Sequence, residues 1–213
     1  ATLGAATTFT STGSGAITFG STLNGGYTLA VNTTGATTFT GAVGGTAALT
    51  SLTTDAGGTV AINGGVVNTT GAQSYGDALS LGANTVLTST GAGDITLGGT
   101  VNGAYALAVN TTGTTTLGGA VGGTVALTSL TTDAGGTVAI NGGVVTTTGA
   151  QTYGEAATLG AATALTSTGS GAITFGNTLN GAQTLAVNTS GNTTFTGAVG
   201  GTVALTSLTT DAG

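Results

Sequence analysis

Large apolar residues recur at every second position in short runs along this chain. Tyr105-Ala-Leu107-Ala-Val109, Val125-Ala-Leu127 and Val138-Ala-Ile140 show the pattern. A period of two, rich in β-branched residues, predicts short strands with one buried face. Gly-Gly, Asn-Gly and Thr-Gly pairs separate the runs and supply the backbone freedom that tight corners need. Gly and Thr are poor helix formers and no apolar stripe of period 3.6 appears, so the pattern argues against helix.

The runs belong to a longer repeat. The segment ALTSLTTDAGGTVAINGGVV occupies positions 48–67 and returns unchanged at 126–145, so that position i recurs at i+78. Leu3, Leu81 and Leu159 are equivalent, as are Asp55, Asp133 and Asp211. Residues 1–57 differ from 157–213 at only 8 positions, so the copies read 1–78, 79–156 and a partial 157–213. We expect one continuous segment, without separate domains, cut from a longer array.

Within a copy, Leu87, Leu107 and Leu127 fall under one another at a spacing of 20. So do Leu97 with Leu117, Val101 with Val121, and Tyr105 with Val125, while Ile140 takes the next Leu97/Leu117 station. Strands cornered by Gly at this spacing define an all-β parallel β-helix, or β-solenoid, in which each coil stacks on the next. The expected geometry is about 20 residues per coil and four coils per 78-residue repeat, giving about eleven coils in the chain. Equivalent positions of successive copies should then lie four rungs apart. The inward columns should hold Leu87, Leu97, Val101, Leu107, Leu117, Val121, Leu127 and Ile140, with their mates one copy away.

Composition restricts the chemistry. The chain holds 43 Gly, no Lys, Arg, His, Pro, Cys, Met or Trp, and six acids. Without a cation, a phosphate backbone has nothing to pair with, which argues against nucleic-acid binding. No apolar run approaches the ~18 residues of a membrane span, so no membrane insertion is expected. Catalysis needs a nucleophile with a base, or a tuned proton donor, and only carboxylates are present. Asp77 and its counterpart Glu155 follow TGAQSYG and TGAQTYG, but an Asp-for-Glu exchange would spoil fixed catalytic geometry. We therefore expect no enzyme, and no catalytic, cofactor-binding or metal site.

Other candidate sites have plainer readings. TTDAGG offers one Asp per copy (Asp55, Asp133, Asp211) where calcium wants six to eight oxygens; a hydrogen-bonded turn is the simpler role. The sequons at Asn32, Asn68, Asn110, Asn188 and Asn192 arise freely in so Asn- and Thr-rich a chain. Thr96 over Thr116 starts a hydroxyl column of the sort an ice- or glycan-binding solenoid displays on a flat face. Thr88, Ala108 and Thr128 would interrupt the next column.

The segment LTSTGSGAITFGNTLNGAQTLAVNTSGNTTFTGAVGG, residues 165–201, resembles the repeat regions of very large bacterial surface adhesins of the filamentous haemagglutinin-like group. That resemblance implies a right-handed parallel β-helix shaft, exported by a two-partner or autotransporter-like route to the cell surface or matrix. The expected function is a structural segment of a long extracellular filament, adhesin shaft or matrix fibre. Its expected partner is itself, by chain continuation or homopolymer, with cell-surface or glycan contacts. The alternative is a Thr-rich binding module for ice or glycan.

Overall fold

The computed structural model describes residues 1–211, and among them there are 25 short strands and no helix. Every strand pairing is parallel, between positions 19 to 23 apart. The chain winds as a β-solenoid of about nine turns, about 22 residues each, where the shorter expected coil gave about eleven. Among the described residues no helix is long and apolar enough to cross a membrane.

Each turn has three sides. The first face stacks nine strands, from Thr7–Ser11 through Ser51–Thr54 and Ile95–Leu97 to Leu179–Asn180. The second begins with Ile17–Phe19 and runs through Val101–Asn102, where Val121 bridges it to Val144–Thr147 and on to Ser207–Thr210. The third stacks seven strands from Val66–Thr69 to Thr193–Phe195, extended downward by bridges at Leu23 and Val43. The chain visits the faces in strict rotation.

That rotation overturns the expected four coils per repeat. Ser51–Thr54 lies on the first face, its mate Ser129–Thr132 on the third, and the next mate Ser207–Thr210 on the second. Between the first two, the chain takes eleven sides, which is three and two-thirds turns. Equivalent residues therefore do not stack. Each copy is turned by one face relative to the copy before it, and three copies, or eleven whole turns, restore the starting face.

The corners show that the three faces are interchangeable. Thr33, Thr111 and Thr189 sit on the first, third and second faces, yet each donates its hydroxyl to the glycine carbonyl 18 positions earlier, at 2.8, 2.7 and 2.8 Å. Each also accepts the glycine N–H two positions on, at 3.0 Å. One corner design serves all three.

The core fills as expected, although its register differs. Leu87, Leu97, Val101, Leu107, Leu117, Val121, Leu127 and Ile140 are all buried. Their mates are buried too, except towards the ends, where Phe19, Phe195 and Leu205 are partly covered and Phe9 and Val199 are exposed for want of a covering coil. Leu97 pairs with Leu117, Val101 with Val121, and Leu117 with Ile140, as the spacing implies. Leu87, however, pairs with Val109 rather than Leu107, and Leu107 with Leu130 rather than Leu127. The turn exceeds the leucine spacing wherever a corner or bulge takes extra chain. Aromatic rings stack along the columns, Tyr153 on Phe175 at 4.8 Å and Phe175 on Phe195 at 5.4 Å.

Two corner positions take positive φ, one at a glycine and one at an alanine. Gly103 has φ 138°, and a Cβ there would strike the Leu81 backbone. Ala92 has φ 61°, a left-handed conformation that costs an L-residue about 1–2 kcal/mol. Its counterparts Ser14 and Ser170 each hydrogen-bond the hydroxyl of the next coil at 2.6 Å, which Ala92 cannot do. We expect Ala92→Gly to stabilise the chain by about 1 kcal/mol and Gly103→Ala to destabilise it by about 2 kcal/mol or more in urea unfolding. A destabilising Ala92→Gly would refute the corner assignment.

Candidate functional site

The most unusual chemistry lies inside the wall, at the corner that follows the Gln-x-Tyr strand of each copy. Gln73 and Tyr75 alternate inward from Gln73–Tyr75, and Gln151 and Tyr153 do the same from Gln151–Tyr153. All four are fully buried. Gln73 Nε2 donates to the Thr88 carbonyl at 2.9 Å and to the Val67 carbonyl at 3.2 Å, and its Oε1 accepts the Tyr75 hydroxyl at 2.9 Å. Gln151 repeats this with Thr166, Val145 and Tyr153, at 2.9, 3.3 and 3.0 Å. Burial pushes both phenols well above their ordinary range. A satisfied buried amide fixes register because a slipped strand would orphan it.

Asp77 and Glu155 follow directly, only 2% and 1% exposed. Asp77 Oδ1 accepts the Gly58 N–H of the coil below at 2.6 Å, while Oδ2 has no partner. Glu155, one methylene longer, leaves both carboxyl oxygens without a partner. The Thr54 and Thr132 hydroxyls lie beside these carboxyls and favour the charged form, yet both fall outside hydrogen-bond geometry. Burial raises both carboxyl pKa values, and the like charges of Asp55 and Asp133 raise them further. The chain holds no side-chain cation to offset them. Nothing here resembles a nucleophile with its base; the corner is a structural brace whose comfort depends on a proton.

The remaining candidates disperse. Asp55 is half-buried and accepts the Thr33 N–H at 2.9 Å, the turn role expected of it. Asp133 is half-buried with an unpartnered Oδ1, and Asp211 is exposed. Among the described residues no three acidic side chains converge as a metal cage. Asn32, Asn68 and Asn110 are half-buried on strands, and Asn188 and Asn192 are exposed. A hollow of about 330 Å³ lies at one open end of the stack, lined by Ala1, Thr18, Phe19 and Leu23, where the core meets solvent.

The hydroxyl column exists and is short. Thr53, Ser74, Thr96 and Thr116 stack outward on the first face, bounded by Ala30 and Ala139. One copy later, Thr131, Thr152, Thr174 and Thr194 stack on the third face. The ladder thus climbs four rungs and moves to another face. Thr88 and Ala108, which the sequence spacing sets in one interrupting column, belong to different columns: Thr88 pairs with Asn110, and Ala108 with Val86 and Thr131.

The fold defines the class, a three-sided parallel β-solenoid repeat. No protein-family model, curated protein or solved structure matches the chain.

The acid corner makes a pH prediction. A raised carboxyl pKa in the folded state gives stability that is full below the unfolded carboxyl range, about 4, and is lost as pH rises through the folded value. The chain should therefore melt at higher temperature at pH 4 than at pH 7. Glu155→Gln should narrow that gap by roughly 2–4 °C, the shift about 1 kcal/mol produces at this size. A gap unchanged in the variant would remove Glu155 from the account.

Proposed function

We propose that the chain is a structural repeat segment, a shaft or spacer in a long extracellular filament, adhesin or matrix fibre. The observation that carries this reading is the sameness of the stack. Eleven sides make a copy, each copy passes its corner design to the next face, and no described side departs from the pattern to build a groove. A solenoid of this kind lengthens by adding copies, since each coil needs only its neighbours. Absence of Lys and Arg leaves trypsin-like proteases no cleavage site, which suits exposure outside the cell.

The partner in this reading is the repeat itself, because the open strand edge of any coil pairs best with another coil of the same kind. The stepping hydroxyl ladder disfavours the ice-binding alternative, which requires one unbroken flat face.

Immunogold labelling of intact producing cells with antibody to the 78-residue repeat tests the reading. Label along thin fibres outside the cell is expected. Label that appears only after permeabilisation would overturn the extracellular assignment.

A further inference from the structure

Along the sequence, TTDAGG offers one Asp per copy, too few oxygens to hold an ion. Winding adds a second acid. Thr132 pairs with Tyr153 of the coil above, and Gly154 lies against the backbone of Asp133, so Glu155 enters the same corner. Ser129–Thr132 and Gln151–Tyr153 lead into that corner from the third face, and Thr137–Ile140 and Ala156–Leu159 leave it along the first. Four buried oxygens there have no hydrogen-bond partner: Thr132 Oγ1, Asp133 Oδ1 and both carboxyl oxygens of Glu155. Thr132 and Glu155 are each only 1% exposed. The Thr132 hydroxyl lies beside the Glu155 carboxyl, and the Asp133 charge acts on it from the coil below. Thr132 is no acid, yet its hydroxyl is stranded in the same place.

The equivalent corner of the first copy is closed by the backbone. Asp55 Oδ1 accepts the Thr33 N–H at 2.9 Å, and Asp77 Oδ1 accepts the Gly58 N–H at 2.6 Å. Only Thr54 Oγ1 and Asp77 Oδ2 are left without a partner there. In the second copy Glu replaces Asp, and Asp133 Oδ1 and both Glu155 oxygens go without such contacts. One corner is therefore satisfied from within, and the other presents its oxygens to something else.

We propose that the Thr132–Asp133–Glu155 corner binds one calcium ion, and that the Asp55–Asp77 corner binds none. Burying unpaired carboxylates is costly, and the chain has no side-chain cation to offset two of them. A divalent ion matches their charge, whereas a monovalent ion leaves one negative charge in the wall. All the donors are oxygens, which suits a hard cation and not zinc. Magnesium keeps several waters, for which a corner this buried has little room. Calcium accepts irregular shells of six to eight oxygens. The four stranded oxygens supply most of one, and the second Asp133 oxygen and water past this half-buried residue complete it. The inference concerns one corner and stands apart from the shaft reading.

The test titrates calcium chloride calorimetrically into the metal-free chain at pH 7, and into Glu155→Asp and Asp133→Asn. Asp already stands at the equivalent position 77, so the fold tolerates the first variant, and the second keeps the side chain's size. The parent should bind one calcium per chain, and its melting temperature should rise by roughly 5–10 °C at calcium 100-fold above Kd. Magnesium should bind about tenfold or more weakly. Both variants should lose calcium affinity by about tenfold or more while keeping the strand signal in circular dichroism. No calcium binding by the parent would leave the proton as the corner's partner and overturn the proposal. Two ions per chain, magnesium equal to calcium, or undiminished binding by either variant would overturn it as well.

Discussion

Everything in this molecule depends on backbone hydrogen bonds that run along the axis, from each coil to the coils above and below. A single turn of about 22 residues closes no core of its own. Its amides find partners only in neighbours, so a residue that cannot donate, or a side chain that cannot tolerate its copy about 4.8 Å away, interrupts the stack. Proline is absent and charge nearly so. Where polar groups do enter the wall, as at Gln73 and Gln151, they arrive with a full set of partners. The acids and the buried Thr37, Thr54, Thr115 and Thr132 hydroxyls are the exceptions, and the acids make stability depend on protonation.

The unit of construction is the side rather than the coil. A side takes a strand and a corner, and eleven of them fill one copy. Because eleven is not a multiple of three, no feature of the repeat keeps to one face. That arithmetic governs the surface: the hydroxyl ladder, four rungs long between Ala30 and Ala139, reappears on another face one copy later. A protein shaped to bind a flat lattice would keep its ladder on one face.

The inward residues are legible in the sequence, and the register is not. Alternation tells which side of a strand a residue faces, and that survives an error of two. The leucine spacing sets Leu87 over Leu107, but Leu87 stacks on Val109, two positions on, so both leucines still point inward. The length of each turn depends on corners and bulges built from Gly, Asn and Thr, which carry no apolar signal. The four-residue bulge before Leu127 is one such place, held by Asn102 from the coil below. Four coils of about 20 residues account for the 78-residue repeat, and nothing in the apolar pattern reveals that the chain divides it by sides. Gln73 and Gln151 give no signal in the sequence because buried amides look like surface residues until their partners are placed.

Fibre diffraction from aligned rods of two chains, joined in phase by a copy of residues 58–78, tests the central claim most directly. Eleven turns per three copies predict a meridional reflection near 4.8 Å, an axial period of about 53 Å, and density that turns by a third of a circle every 18 Å or so. An axial period of about 19 Å, with each copy stacked unrotated on the last, would mean four turns per repeat and would contradict the account.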